Sequence, residues 1–176
     1  MQQSKNLYLR LVKESDADFI LSLRLNKNLN SYLTQVNDSV DAQIQWIKKY
    51  KLKELEGLEY YFIIMDKTLG VIGLVRIYDI DYAQKTFTWG SWVLKEDRPK
   101  YAAIESAMLS YEFAFNELGL LLAKFDVMKE NNKAINFHKR FGAKSLFSDD
   151  INLYFELSKQ SYLSLKYNKY YKFLLS

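Results

Sequence analysis

Two short segments of the chain carry residues able to do chemistry. In Arg98-Pro99-Lys100-Tyr101-Ala102-Ala103 a charged loop runs into an apolar-periodic stretch where a helix should begin. The first turn of a helix has backbone N–H groups without internal acceptors and a partial positive charge, which suits a phosphate or diphosphate. Arg98 and Lys100 flank that start and add cations, while the small Ala102 and Ala103 let an anion approach the backbone. The same residues also describe an ordinary helix start behind a solvated loop, and this segment taken alone favours the plainer reading. The second segment, Asn131–Ala143, holds His138, the only histidine. An imidazole with an unperturbed pKa of roughly 6.5 can give up a proton near neutrality. His138 shares its helical face with Ala134, Phe137 and Phe141, so a histidine satisfied in the core fits the pattern as well. Asp79 and Asp81, where a strand ends, are carboxylates able to bind or deprotonate an amine; a solvated turn aspartate is the simpler account of each.

Composition narrows the chemistry. The chain has 176 residues, enough for one domain with a real core, and its 49% apolar and 26% charged residues are ordinary for a globular protein. It has no cysteine, which removes disulfides, thiolate metal sites and a cysteine nucleophile. With one histidine, no metal centre is expected. The net charge of +4 draws anionic ligands without choosing among them. The first residues, Met1–Asn6, are polar, and no stretch approaches the length that spans a bilayer, so a cytoplasmic location is expected by default. Six glycines and one proline leave no room for a flexible linker.

The elements that must position these residues follow from periodicity. Leu7–Val12 alternates as a strand. Ser15 with Asp18 resembles a capping box for a helix to about Leu25 that buries Phe19, Ile20 and Leu23. Asn26–Ser39 is a long polar connection, after which Asp38 or Ser39 caps a helix with Val40, Ile44 and Ile47 at helical spacing. Strands are predicted over Tyr60–Met65, Val71–Ile80 and Thr86–Leu94, the first two joined by the turn Asp66–Gly70. From Lys100 the period changes: Ile104, Met108, Tyr111, Phe115 and Leu118 predict a long helix ended by Gly119. A strand over Lys124–Lys129, a helix over Asn132–Phe141 and strands over Lys144–Ser148 and Leu153–Leu157 complete the order β-α-α-β-β-β-α-β-α-β-β, followed by a terminal helix over Gln160–Leu175. Helices spread along a strand-rich chain predict a mixed α/β domain with both sheet faces covered. Residues 1–158 are expected to form the domain, with 159–176 a basic, tyrosine-rich extension packed on it.

The segment Thr86–Ala143 resembles the GNAT acetyltransferase superfamily, in the branch similar to ribosomal-protein and amino-sugar N-acetyltransferases. The loop Arg98–Ala103 is similar to the family's Arg/Gln-x-x-Gly-x-Gly/Ala, with Tyr101 at the first glycine. That departure matters because tyrosine tolerates positive φ poorly and would crowd a diphosphate. Asn131-Asn132-Lys133-Ala134-Ile135-Asn136-Phe137-His138-Lys139-Arg140-Phe141-Gly142-Ala143 resembles Asn-x-x-Ala-Ile-x-Leu/Phe-Tyr-Glu-Lys-x-Gly-Phe. The resemblance implies a single α/β domain whose mostly antiparallel sheet is splayed in the middle, and acetyl-CoA as cofactor. It implies that Arg98, Lys100, Tyr101, Ala102 and Ala103 meet the diphosphate. Trp92, Val93 and Leu94 would bind the pantetheine arm through backbone groups, with Asn131 and Phe137 alongside. It also places His138 where the family has a tyrosine that protonates the departing thiolate. Trp89 and Trp92 equally suit a role as core aromatics.

The acceptor amine is expected between Asn26–Ser39, the second helix and the strand end. Tyr32, Tyr78, Asp79, Asp81, Trp89 and Ser91 are candidate contacts, Gly90 leaves room, and Asn30, Ser31, Thr34 and Gln35 add polar groups that suit a polyhydroxylated molecule. The ending Phe137–Ala143 is similar to that of flagellin and surface-polysaccharide acetyltransferases, which implies a nucleotide-linked amino sugar as the small-molecule partner. A protein N-terminus is the alternative within the fold. A different class, a non-catalytic nucleotide or nucleic-acid binder, would use Lys159–Lys172, with four lysines, four tyrosines and no acid. A tail helix that buries Tyr162, Leu163, Leu165 and Tyr167 while its lysines reach solvent accounts for that segment without nucleic acid. A homodimer is left open.

Overall fold

The computed structural model describes residues 3–29, 31–32 and 38–173. Strands form where β-branched and aromatic residues cluster: β1 Leu7–Leu11, β2 Tyr60–Asp66, β3 Gly70–Asp81, β4 Thr86–Leu94, β5 Leu122–Met128, β6 Lys144–Ser148 and β7 Asn152–Ser158. The helices are α1 Ala17–Arg24, α2 Val40–Leu55, α3 Ala102–Glu112, α4 Asn132–Arg140 and α5 Lys159–Leu165. One seven-stranded sheet runs β1-β2-β3-β4-β5-β7-β6. Every pairing is antiparallel except β4 with β5.

Helices cover both faces, as the distribution of elements predicts. On one, Ile20, Leu23, Ile47 and Tyr50 of α1 and α2 pack on Tyr61, Ile63, Leu74 and Val93. On the other, Met108, Tyr111 and Phe115 with Ile135, Phe141 and Tyr162 pack on Val75, Ile77, Phe87, Trp89 and Phe125. No helix among the described residues is long and apolar enough to cross a membrane.

The sheet is interrupted at its centre. β4 pairs with β5 only over Thr86–Thr88 against Leu122–Lys124. Just beyond that point the register of β4 on β3 slips between Leu74 and Arg76, and Ser91 takes φ +47. The slip is a bulge, which bends a strand and increases its twist. It also puts Trp89 and Trp92, three residues apart, on the same face, where their rings lie 5.3 Å apart. In a regular strand an odd separation would send them to opposite faces.

Several local expectations change. α1 is preceded by a 3-10 turn at Glu14–Asp16, and its start is held by Asp16 rather than Ser15. The Asp16 carboxylate accepts the Lys13 N–H at 2.7 Å and pairs with Arg10. Val40 is 37% exposed, so it starts α2 without joining the core. Ser39 does cap that helix, accepting from the Ala42 N–H. The long helix is α-helical only to Glu112 and widens to a π turn at Phe113–Glu117 before Gly119. The tail also changes form, from α5 to a π turn at Lys166–Tyr170. Tyr162 is fully buried there, with its hydroxyl on Glu112 at 2.5 Å, whereas Tyr167 is 63% exposed.

The N-terminal segment is tied to α3 by a buried carboxylate. Glu105 accepts from Ser4 Oγ at 2.6 Å, Asn6 N at 3.0 Å and Asn6 Nδ2 at 2.6 Å. Glu105→Ala removes the acceptor of both Asn6 donors and leaves Ser4 Oγ only the Leu7 carbonyl at 3.2 Å. A loss of about 3 kcal/mol in denaturant unfolding is expected; an unchanged midpoint would show that the segment before β1 contributes nothing to stability.

Candidate active site

Where β4 and β5 part, a cleft of ≈ 810 Å³ opens, lined on one side by Trp89–Leu94 and on the other by Phe125–Met128. β3 satisfies one edge of β4, with Leu74 opposite Val93 and Gly73 opposite Leu94. The other edge faces the cleft, so its backbone polar groups are free for a ligand. The indole N–H of Trp89 donates to Ser110 Oγ at 2.8 Å and that of Trp92 to Ser106 Oγ at 3.1 Å. These serines stand one helical turn apart on α3, so the helix fixes both rings of the cleft wall.

The loop before α3 forms one end. Arg98 and Ala103 line the cleft, and Arg98 Nη1 donates to the Lys95 carbonyl at 2.8 Å. Lys100 is exposed, Ala102 is sealed in the core, and neither lines the cleft. Tyr101 does not crowd the loop. Its φ is −73, in the ordinary helical region, and its hydroxyl donates to Asp66 Oδ2 at 2.6 Å. The side chain therefore leaves the loop and ties the start of α3 to the β2–β3 turn. That hydrogen bond is the main reason its pKa is pushed up to about 12.

α4 forms the far wall. Asn131 lines the cleft and caps α4, its side-chain oxygen accepting the Ala134 N–H at 3.1 Å. Phe137 lies against Trp92, with ring centres 4.8 Å apart. His138 lines the cleft but is only 4% exposed. Its ring lies 4.5 Å from that of Phe125, 5.3 Å from Trp89 and 6.2 Å from Phe155. Burial among these rings penalises the cation and lowers the pKa to about 4. His138 is therefore neutral at physiological pH, unlike the free imidazole from which the sequence argument starts.

The candidate acceptor residues divide. Trp89 and Ser91 line the cleft; so does Tyr32, whose hydroxyl reaches across to the Glu130 carbonyl at 3.4 Å. Tyr78 is half-buried beside Gly90, its hydroxyl 3.1 Å from where a Cβ on that glycine would stand. Asp79 and Asp81 lie away from the cleft at the β3–β4 hairpin, where Asp81 accepts the Gln84 N–H at 2.9 Å. Asn30, Thr34 and Gln35 lie outside the described residues. Sequence reasoning missed Asp126, which lines the cleft from β5. Strand alternation, with Phe125 and Val127 facing the core, is the signal that sends it to the other face.

Residues 6–144 match the family model described as an acetyltransferase (GNAT) domain. The chain belongs to the GNAT acetyltransferase family. It is an acetyl-CoA-dependent N-acetyltransferase, and a cleft of this size with a free strand edge suits that donor. The structure of FdhC, described as a nucleotide-linked sugar GNAT, superposes with a TM-score of 0.90 at 44% identity, covering 98% of this chain and 97% of its own. The SPbeta prophage-derived uncharacterized N-acetyltransferase YokL of Bacillus subtilis is 26% identical, over 78% of this chain and 76% of its own length. Spermidine N(1)-acetyltransferase of Vibrio cholerae is 25% identical, with 79% of each covered.

The buried neutral imidazole has a consequence for stability. The unfolded chain takes up a proton at His138 near pH 6.5, whereas the folded protein resists until about pH 4. Its neutral form therefore stabilises the fold fully above pH 6.5, and that contribution is lost as pH falls towards 4, by about 3 kcal/mol in all. His138→Phe should flatten the fall in unfolding free energy across this window, measured by urea titrations at successive pH values. Parallel curves for the two proteins would contradict a buried neutral ring.

Proposed function

We propose that the chain acetylates the amino group of a nucleotide-linked amino-deoxy sugar. The observation that carries this reading is the 44% identity with FdhC over nearly the whole of both chains, against 25% with the spermidine acetyltransferase. The two chains superpose over nearly their entire length, the acceptor side as well as the donor side.

The residues divide the work between binding and proton handling. Acetyl-CoA supplies an activated acetyl thioester. Arg98 and the first-turn N–H groups at Tyr101 and Ala103 hold the diphosphate, and Lys100 adds positive charge from outside the cleft, while the Ala102 N–H is already taken by the Pro99 carbonyl at 3.0 Å. The free edge of β4 at Trp92, Val93 and Leu94 hydrogen-bonds the amides of the pantetheine arm, with Asn131 and Phe137 closing the opposite side. Bringing a neutral amine and the thioester together in this cleft supplies much of the rate by positioning alone. His138, neutral and nearly dry, offers a ring N–H to the sulfur side, where a negative charge would develop. Removing water from that spot strengthens the interaction. Trp89 and Ser91 shape the crossing point for the amine, and Tyr32 lies at its rim.

The test is thiol release from acetyl-CoA with a panel of UDP- and dTDP-linked amino-deoxyhexoses, polyamines and peptides with free N-termini. Turnover with a nucleotide-linked amino sugar and not with the other two classes is expected; the reverse pattern would overturn the assignment. With the active acceptor, His138→Ala should lower kcat by roughly 10²-fold while the Kd for acetyl-CoA stays within about twofold. An unchanged kcat would return His138 to a packing role.

A further inference from the structure

Gly90 lines the cleft, and the charges next to it on the α2 side of the sheet are arranged asymmetrically; Arg76 and Tyr78 border the cleft lining rather than belong to it. Arg76 of β3 stands directly opposite Gly90 in register. Its guanidinium carbon lies 5.2 Å from the ring centre of Trp46 and 4.5 Å from that of Tyr78. Nε donates to the buried carboxylate of Glu59 at 2.5 Å, and Lys53 reaches the same carboxylate at 3.6 Å. Two cations against one anion leave this corner net positive. Across the opening, Asp126 is exposed and lines the cleft from the part of β5 that no longer pairs with β4. Tyr78 lies between them, its ring edge 3.2 Å from where a Cβ on Gly90 would stand. Its hydroxyl feels both sides: burial chiefly raises its pKa, Arg76 lowers it, and Asp79, Asp126 and Glu59 raise it. A Cβ at position 90 would stand 3.1 Å from the Tyr78 hydroxyl, so glycine there leaves the Tyr78 ring in place and keeps room at the opening.

We infer that this opening is the acceptor site, with Asp126 receiving the acceptor's ammonium group, which loses a proton to solvent and attacks as the neutral amine, and Arg76 its diphosphate, the sugar lying over Tyr78 and Gly90. The inference rests on the nucleotide-linked amino sugar proposed above and says which residues select it. A molecule with a cation at one end and an anion one sugar ring away matches both charges. A polyamine offers Arg76 only repulsion, and a simple amino sugar leaves it unused. Stacking on Trp46 and Tyr78 and the bond to Glu59 hold the guanidinium in one orientation, which favours the planar two-point contact that arginine makes with phosphates.

The experiment compares kcat/KM for UDP- and dTDP-linked amino-deoxyhexoses with that for the same sugars as methyl glycosides, by thiol release. Wild type, Arg76→Gln, Arg76→Lys and Asp126→Asn are measured, with thermal melts to check folding. Arg76→Gln should raise KM for the nucleotide-linked form by roughly tenfold or more and shrink the preference over the methyl glycoside by the same factor. Arg76→Lys keeps a partner for Glu59, so it reads the diphosphate contact if Arg76→Gln is unstable; its preference should also shrink. Asp126→Asn should lower kcat/KM for both forms by roughly tenfold and leave the preference intact. Full preference in both Arg76 variants, equal losses on both substrates in Arg76→Lys, or an unaffected Asp126→Asn would overturn the inference while the proposed function stands. A wild-type protein that turns over other amines but no nucleotide-linked amino sugar would overturn both.

Discussion

The structure depends on one backbone constraint, the bulge in β4 at Ser91. A non-glycine residue held at φ +47 costs of the order of 1–3 kcal/mol and persists only where its surroundings enforce it. Here the enforcement comes from α3. Ser106 and Ser110 accept the indole N–H groups of Trp92 and Trp89, and both indoles reach them only because the bulge turns both onto the same face. Relaxing β4 to a regular strand would move Trp92 to the other face and break its bond to Ser106. The same bend carries β4 away from β5 after Thr88. An interrupted sheet, a fixed aromatic wall and a cleft are thus consequences of one local geometry.

The two faces of the cleft have different dielectric character, and this separates their tasks. On the α3–α4 side His138 lies among Phe125, Trp89, Phe137 and Phe155, where a cation is disfavoured and a fixed dipole is effective. On the α2 side Arg76 and Asp126 keep access to solvent. An acyl donor with an uncharged reacting centre suits the first environment, and a charged, hydrophilic acceptor suits the second. Tyr101 serves the donor side indirectly: its bond to Asp66 fixes the start of α3 from outside the cleft, a role that glycine could not fill.

The parts of this arrangement legible in the sequence are those governed by local rules. The 3.6-residue stripe from Ile104 to Phe115 locates α3, the segment Asn132–Phe141 before Gly142 locates α4, and the aromatic run Thr86–Leu94 locates β4 at its observed limits. The parts that were not legible depend on partners distant in sequence. The bulge is visible only as an odd spacing of two tryptophans, and its cause lies in serines on the next helix. Tyr101 reads as a damaged glycine motif until Asp66, 35 residues earlier, supplies its partner. Ser15 reads as a cap, but Asp16 wins because Arg10 already holds its carboxylate in place. The depressed pKa of His138 follows from burial among five rings, four of them on β4, β5 and β7, which no single-segment pattern brings together.

Amide hydrogen exchange with and without saturating acetyl-CoA tests the central claim most directly, since it reads the free edge of β4 itself. The account predicts slowed exchange for cleft-facing amides among Trp92–Leu94 and for the first turn of α3, with the outer strand Lys144–Ser148 unchanged. Protection confined to other segments, or none along β4, would contradict a cleft built by the Ser91 bulge to hold the donor.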